Sequence, residues 1–280
     1  MAATRVPVLA AVVSYCSNER AFARALLGNA LRATPHVFVS VGVRLYTGEA
    51  EDAAHLAELH AEFPQARFAV YDVPDAALAQ PVTLHNAARR AGVEAARRAC
   101  GPDAWVLLLD GDEVPEGAAL AAWWAAYSPA LRPDTALKMA NWWYFLSPRL
   151  VAEPHEDSVV IVHASRLTDA ALAHPRERDG VLIHGQGAGE LAEVRRMVYG
   201  LEAGRPLFHH FSWVRSGRAG LLAKVANWGH RHDRPWTQLL AAAMDGVDEA
   251  ERTGRGWPAR DFVHGHPLVL LPEAPFGIVT

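Results

Sequence analysis

WVLLLDGDE, residues 105–113, is the stretch that decides the fold. Five consecutive apolar residues, bounded by turn residues, are typical of a short strand that is buried on both faces of a parallel sheet. The run ends abruptly in two carboxylates, Asp110 and Asp112, with Gly111 between them. Ligand sites in open α/β sheets lie at the carboxyl ends of strands. The segment therefore predicts a central strand with a polar site at its end.

Strand-like and helix-like segments alternate on the N-terminal side of this stretch. The predicted strands are Val6–Ser14, His36–Val43, Arg67–Val73 and Ala104–Leu109. The predicted helices are Glu19–Arg32, Glu51–Phe63, Leu84–Ala99 and, after the last strand, Glu116–Tyr127. This βαβαβαβ order predicts an α/β fold, with a mainly parallel sheet flanked by helices on both faces.

The pattern changes near residue 130, where aromatic strands and histidines become frequent. We predict strands at Ala136–Leu146, Ser158–Ser165, Val181–His184, Leu207–Val214 and His264–Leu271, and helices at Ala219–His232 and Trp236–Arg252. No repeat or low-complexity linker separates the two parts. We therefore expect one domain with two halves, residues 1–130 and 131–280.

Bulk properties exclude several classes of protein. A net charge of −4 over 280 residues is unlike that of proteins that bind mainly through phosphate backbones. Cys16 and Cys100 are too few for a disulfide framework, which favours a reducing compartment. The apolar run Val6–Val13 is much shorter than the roughly 20 residues of a membrane-spanning helix. We expect a soluble, cytoplasmic protein.

The acidic pair has a specific chemistry at the end of a strand. Asp110 and Asp112 can present oxygens to one hard cation, and Mg²⁺ or Mn²⁺ commonly binds through one or two carboxylates and phosphate oxygens. Such an ion acts as a Lewis acid for a departing diphosphate. The alternative is a solvated turn, because Asp and Gly are common in turns. The sequence leaves open whether Glu113 is a metal ligand, a residue that supports the metal ligands or an exposed residue.

Three segments together resemble a known family. They are VVSYCSNE (residues 12–19), HNAARRAGVEAARR (residues 85–98) and VLLLDGDEVPEG (residues 106–117). In this order they resemble the nucleotide half of GT-A-fold glycosyltransferases, especially those similar to glycosyltransferase family 2. The resemblance covers about residues 6–120 and departs where His85-Asn86 and Arg89-Arg90 replace the family's Arg-Asn-x-Gly.

The resemblance implies an activity and a division of labour. Residues 1–130 would bind a nucleotide sugar, with a UDP-sugar as the favoured donor, and residues 131–280 would bind the acceptor. The chain would be a metal-dependent, hexosyltransferase-like enzyme that moves a sugar to a hydroxyl group, with inversion. The acceptor is left open between a glycan, a protein, a small molecule and a modified DNA base.

The resemblance also implies positions for the donor. The residues expected beside the nucleoside, the base or the diphosphate are Ser14, Tyr15, Cys16, Asn18, Glu19, Asp72, Arg89 or Arg90, Asp110, Gly111, Asp112 and Arg215. Each has a simpler alternative. Asn18 and Glu19 suit a helix start, Asp72 suits a turn before Pro74, and helix arginines are usually solvated.

The second half of the chain adds histidines and cations. In related enzymes a C-terminal histidine completes the metal site, so the resemblance points to His209 or His210. Because side chains alternate along a strand, only one of the two can reach the metal. The segment 212–236 is rich in cations that can neutralise a diphosphate, namely Arg215, Arg218, Lys224, His230, Arg231, His232 and Arg234.

Inversion requires a general base near the acceptor hydroxyl. Glu156 and Asp157, in the acidic stretch before the Ser158–Ser165 strand, are the predicted bases. Their alternative is an acidic hairpin tip. The aromatic residues Trp213, Trp228 and Trp236 suit sugar or base stacking, or a packed core.

Other functions fit the sequence less well. A nucleotidyltransferase usually has a glycine-rich loop after its first strand, whereas this loop is SYCSNE. A zinc hydrolase would need a motif such as His-Glu-x-x-His, which is absent from the sequence. A carbohydrate-binding module has no use for a parallel sheet that ends in Asp-x-Asp.

Overall fold

The structure is a computed structural model that describes residues 6–78, 81–186, 193–197, 205–228, 234–253 and 255–279. Its strands are β1 Leu9–Tyr15, β2 Val37–Gly42, β3 Arg67–Tyr71, β4 Trp105–Asp110, β5 Glu113–Pro115, β6 Thr135–Phe145, β7 Leu150–His163, β8 Glu193–Met197, β9 Phe208–Trp213 and β10 Leu268–Leu270. Its α-helices are α1 Arg20–Ala33, α2 Ala53–Glu62, α3 Asp75–Leu78, α4 Pro81–Cys100, α5 Gly117–Tyr127, α6 Asp169–Leu172, α7 Glu177–Gln186, α8 Gly217–Ala226 and α9 Trp236–Thr253. Short 3₁₀ turns lie at Ser17–Glu19, Ser128–Ala130, Ala164–Arg166 and Pro275–Gly277.

One sheet runs through both halves of the chain. Its order is β3-β2-β1-β4-β7-β6-β9-β5, with β10 added beside β7 and β8 beside β6. The first four strands are parallel, whereas β7 runs antiparallel to both β4 and β6. The predicted α/β fold class is confirmed, with a parallel N-terminal part and a mixed C-terminal part.

The central strands are apolar on both sides because helices cover both faces of the sheet. Alternate residues of β1 and β4 belong to two separate cores. One core includes α1 and α5, and the other includes α4, α6 and α7. A third core joins β6 and β9 to α8 and α9. Continuous burial on both faces explains why these strands lack the alternating pattern of a half-exposed sheet.

The structure corrects two predicted elements. Val181–His184 was expected as a strand and belongs to α7, where Val181 and Leu182 are buried in the second core. The acidic stretch before Ser158 was expected outside the strand and lies within β7. The pairing of β7 with β6 continues through this stretch, with shifts of register between Met139 and Ala140 and between Asn141 and Trp143.

Two other differences concern the C-terminal half. The helix expected over Ala219–His232 is α8 and ends at Ala226, and His230, Arg231 and His232 lie outside the described residues. The short strands β5 and β8 were not predicted. Within the described part of the chain, no helix combines the length and the apolar character that crossing a membrane requires.

Candidate functional site

A cavity of about 570 Å³ opens where the carboxyl ends of β1 and β4 meet. Ser14 of β1 lies opposite Asp110 of β4 in the parallel register, so both strands deliver polar residues to the same edge. The cavity wall includes Ser14, Tyr15, Glu19, Asp110, Gly111, Asp112, His210 and Lys224. The segments before α1 and after β4, and the two elements β9 and α8, therefore converge at this edge.

Asp110 is the last residue of β4 and faces two guanidinium groups. Arg89 of α4 lies 3.2 Å from Oδ1, and Arg178 of α7 lies 3.2 Å from Oδ2. Burial by itself raises the pKa of Asp110, but the charges of Arg178 and Arg89 outweigh burial and hold the pKa below its usual value. Asp110 is therefore an anion at neutral pH and is already paired.

Asp112 is more deeply buried, with a side chain 3 % exposed. Lys224 Nζ lies 2.8 Å from Oδ2, Arg215 lies 3.4 Å from the same oxygen, and His210 Nε2 lies 3.6 Å from Oδ1. Burial raises its pKa, yet the charges of Lys224, His210 and Arg215 together lower the pKa far below its usual range. The second carboxylate of the pair is also charged and paired.

Glu19 shares the cations of Asp112. Its Oε1 accepts a hydrogen bond of 2.8 Å from Lys224, and its Oε2 accepts one from Arg215. Two carboxylates and two cations thus form a compact, neutral group. Charges buried in this way are stable when each has such partners.

Gly111 makes this grouping possible. A Cβ atom on Gly111 would lie 3.0 Å from Cβ and Cγ of Glu19 and 3.3 Å from Cδ2 of Tyr15. The residue between the two carboxylates must therefore be small, because the chain before α1 passes directly against it.

Glu113 supports the turn from within. It is fully buried and accepts hydrogen bonds from the Asp110 backbone N–H at 2.8 Å and from the Ser158 hydroxyl at 2.7 Å. Arg178 donates to it as well. Glu113 thereby joins the end of β4, the strand β7 and the helix α7, and fixes where Asp110 points.

The two histidines of β9 face in opposite directions. His210 lies on the cavity wall beside Asp112 and is stacked on Trp143, with ring centroids 6.2 Å apart. His209 is buried, with Nδ1 2.9 Å from the Tyr144 hydroxyl and Nε2 3.0 Å from Glu116. Of the two candidates, the structure brings only His210 to the acidic pair.

The residues expected beside the nucleoside are only partly brought together. Ser14 and Tyr15 lie on the cavity wall, and the Tyr15 hydroxyl is 2.7 Å from His55 Nε2. Asn18 lies in the 3₁₀ turn before α1, where its amide nitrogen is buried and has no hydrogen-bond partner among the described residues, and Glu19, the N-cap residue of α1, makes no side-chain capping bond. Asp72 is exposed, and it accepts hydrogen bonds from Arg44 and from the Val73 N–H.

The two predicted bases lie on β7. Asp157 is ion-paired with Lys138, at 3.4 Å, and Lys138 is also 2.9 Å from Asp179. The backbone of Glu156 pairs with Asn141, and the side chain of Glu156 lies outside the described part of the structure. Asp179 is on the cavity wall and is 53 % exposed.

Several buried donors at this edge have no partner among the described residues. They are Arg89 Nε and Nη1, Arg215 Nε and Ser14 Oγ. Buried polar groups in folded proteins are normally hydrogen-bonded. Of these residues only Ser14 lines the cavity, so its hydroxyl is available to a polar ligand, whereas Arg89 and Arg215 are not among the residues of the wall.

A divalent cation does not fit the acidic pair in this arrangement. Each of the four carboxylate oxygens of Asp110 and Asp112 lies within 3.6 Å of a side-chain nitrogen. The carboxylates would attract a divalent ion, but each paired cation beside them would repel it by a similar energy, roughly 8 kcal/mol at 4 Å near a protein surface, so little net attraction is left. Among the described residues, no group of three or more His, Cys, Asp or Glu side chains is arranged to hold a metal ion.

Sequence reasoning missed Arg178 and Glu177 at this site. They begin α7, and Glu177 adopts a left-handed φ of +51°, which is uncommon for a residue other than glycine. His85 and Arg89 each lie 2.9 Å from its carboxylate and hold the residue in place. No local sequence signal marks this turn, because the contacts join segments that are about 90 residues apart.

Comparison with known proteins gives similarity at the level of structure only. No family model and no curated protein matches this sequence. Among solved structures, 4-diphosphocytidyl-2C-methyl-D-erythritol synthase matches at 13 % identity and a TM-score of 0.44, covering 79 % of this chain and 99 % of that one. A mannosyltransferase from Pyrobaculum calidifontis in complex with GDP-Man and Mn²⁺ matches at 12 % identity and a TM-score of 0.40, covering 90 % and 77 %. The galactosyltransferase LgtC, in complex with donor and acceptor sugar analogues, matches at 15 % identity and a TM-score of 0.39, covering 86 % and 98 %.

Proposed function

We propose that this chain is a GT-A-like glycosyltransferase that moves a sugar from a nucleoside diphosphate sugar to an acceptor hydroxyl. One observation carries the proposal. The Asp110-Gly111-Asp112 turn, at the carboxyl end of a central parallel strand, lines a cavity that is also lined by cations. This is the edge at which open α/β sheets bind nucleotides.

The composition of the cavity suits a ligand with both a charged and an aromatic part. Its volume is within the range of about 300–1,000 Å³ that is typical of small-molecule sites. Tyr46 and Tyr71 on its wall offer apolar surface for a nucleoside. Arg178 and Lys224 offer charge for a diphosphate. A nucleoside diphosphate sugar combines these two requirements.

The chemistry needed from the protein is modest. The bond between the anomeric carbon and the diphosphate oxygen breaks, and the diphosphate leaves with increased negative charge. Cations that are fixed beside it stabilise that charge without reorganisation. Inversion of the anomeric carbon requires a base at the acceptor hydroxyl, for which Asp157 or Glu156 remains the prediction.

A donor screen tests the proposal. The purified chain would be incubated with uridine, guanosine and thymidine diphosphate sugars, with Mn²⁺ and separately with EDTA, while thermal stabilisation and release of nucleoside diphosphate are measured. We expect at least one donor to stabilise the wild type and to be hydrolysed slowly. Asp110→Asn should abolish turnover because it removes a charge at the centre of the site.

Matched variants make the screen specific. Asp169→Asn removes a carboxylate whose side chain is 86 % exposed on α6 and should behave as the wild type. Release of pyrophosphate from a nucleoside triphosphate and a sugar phosphate would instead identify a nucleotidyltransferase. If none of the donors binds in either condition, the proposed function is wrong.

A further inference from the structure

Lys224 is held at the acidic pair more firmly than a surface lysine. Its side chain is 10 % exposed, and its ammonium group lies 2.8 Å from both Glu19 and Asp112. Burial lowers the pKa of Lys224, but the charges of Asp112 and Glu19 more than compensate, so its pKa is raised and the group stays charged. It therefore brings a permanent positive charge to this edge.

The geometry leaves one N–H donor of Lys224 available to a ligand. An ammonium group has three N–H donors, and within the described part of the chain two of them are used by Glu19 and Asp112. Lys224 and Asp112 both lie on the cavity wall. The third donor can thus bond an anion that enters the cavity.

We propose that Lys224 takes the place of a divalent cation at Asp112, so that the diphosphate of the donor binds to this site without a metal ion. The inference rests on the proposed function. It reverses the prediction from sequence that Asp110 and Asp112 hold Mn²⁺ or Mg²⁺. The carboxylates then hold cationic side chains in place instead of a metal ion. Glu19 and Asp112 position Lys224, and Asp110 and Glu113 position Arg178.

The same arrangement explains why Asp112 is nearly inaccessible. A metal ligand has to present an oxygen to the cavity, whereas Asp112 is 3 % exposed and its oxygens face Lys224, Arg215 and His210. An ion that bound Asp112 would have to displace Lys224. Lys224 would then leave a buried position next to two carboxylates, at a large cost in free energy.

Calorimetric titration with UDP-glucose and GDP-mannose tests the proposal directly. For the wild type, we expect the dissociation constant of the donor that binds to differ by less than about threefold between EDTA and Mn²⁺, which corresponds to a difference in binding free energy below about 0.7 kcal/mol. The protein would also be titrated with Mn²⁺ alone, and electron paramagnetic resonance would measure the fraction of unbound ion. We expect the Mn²⁺ to remain unbound.

The variant Lys224→Met is the second part of the test and removes the ammonium group that is proposed to bind the diphosphate. Loss of one charge-assisted hydrogen bond should weaken donor binding in EDTA by roughly 10- to 100-fold. Mn²⁺ should restore part of the affinity, because the ion can now reach Asp112. Arg98→Met, which removes an exposed cation on α4, is the control and should bind as the wild type.

The outcomes separate the two proposals. If EDTA abolishes donor binding by the wild type and Mn²⁺ restores it, Lys224 does not replace a metal, and the proposed function stands. Unchanged binding by a folded Lys224→Met variant in EDTA would also overturn the role of Lys224. If no donor binds with or without Mn²⁺, both proposals fail. Should Lys224→Met not fold, the comparison of the wild type's donor affinity in EDTA and in Mn²⁺ still decides whether donor binding requires a metal ion.

Discussion

His209 and His210 are consecutive in β9, and their imidazoles lie on opposite faces of the sheet. His210 stands on the cavity wall 3.6 Å from Asp112, whereas His209 is enclosed between Tyr144 and Glu116. Glu116 only accepts hydrogen bonds, so Nε2 of His209 carries the proton and Nδ1 accepts from Tyr144. One histidine is therefore part of the protein interior, and the other is part of the site.

Replacing each histidine should separate stability from binding. His209→Ala removes the hydrogen bonds to Tyr144 and Glu116 and takes away the acceptor of the buried Tyr144 hydroxyl, which we expect to cost about 2–4 kcal/mol of unfolding free energy. His210→Ala should change stability by much less and weaken binding of UDP-glucose or GDP-mannose. Urea denaturation and calorimetry measure the two effects. A larger loss of stability in His210→Ala than in His209→Ala would contradict the assignment.

The same environment predicts a pH dependence of stability. Burial lowers the pKa of His209, and the hydrogen bond to Glu116 offsets only part of this effect. A lowered pKa in the folded state means that the neutral form stabilises the fold above the unfolded pKa of about 6.5, and that this stability is lost as pH falls.

Comparison with His209→Leu isolates this contribution, since the other titrating groups are common to both proteins. The difference in unfolding free energy between wild type and variant should be constant from pH 8 to about 7 and should shrink below about 6.5. Urea denaturation at each pH gives the difference. If the difference in unfolding free energy between wild type and His209→Leu instead increased as the pH falls, His209 would be charged in the folded protein.

Two glycines in helices should respond oppositely to the same substitution. A Cβ atom on Gly92 of α4 would lie 2.4 Å from Ser40 Oγ and from Val12 Cγ1, so Gly92→Ala should destabilise the fold by about 1–3 kcal/mol through overpacking. At Gly28 of α1 the nearest atom is 4.0 Å away. Gly28→Ala should therefore stabilise the fold by up to about 1 kcal/mol. Equal effects of the two changes would mean that α4 does not pack so closely on β1 and β2.

Cys16 should be unreactive although it lines the cavity. Burial, together with the nearby Glu19 carboxylate, raises the pKa of its thiol to about 12. Because the thiolate is the reactive form, we expect alkylation by iodoacetamide at pH 8 to be about a hundredfold or more slower than for an exposed thiol. Mass spectrometry of the labelled peptides measures the rate, and labelling in urea is the control. Cys16 reacting at the rate of a free thiol would show that it is exposed.

The elements of the N-terminal half were predictable because their signals are local. The apolar runs of β1, β2 and β4 and the 3.6-residue period of α4 specify buried strands and a covering helix without knowledge of distant residues. The position of Asp110 and Asp112 at the end of β4 follows in the same way. The strand predicted at Val181–His184 was wrong because a short apolar run fits a strand and a buried helix equally well.

The sequence offered Arg89, Arg215 and Lys224 as cations for a diphosphate, but their pairing with Asp110 and Asp112 could not be predicted in the same way, and Arg178 was missed altogether. Arg178 and Lys224 are separated from Asp110 and Asp112 by about 70 and 110 residues, and only the folded sheet brings α7 and α8 to this edge. Nothing in the sequence around Lys224 distinguishes it from Arg218, which is exposed on the same helix. A motif read alone predicts which carboxylates are present, but not which cations reach them.

Gly111 connects the local motif to these distant partners, and its replacement is the last prediction. In Gly111→Ala the new methyl group would press on Cβ and Cγ of Glu19 at 3.0 Å. Glu19 can yield only by loosening its bonds to Lys224 and Arg215. We therefore expect a loss of about 1–3 kcal/mol in stability and a weakened affinity for UDP-glucose or GDP-mannose. Gly28→Ala, which is remote from the cavity, is the control for both measurements. Unchanged donor affinity in a folded Gly111→Ala variant would mean that the position of Glu19 does not govern the site.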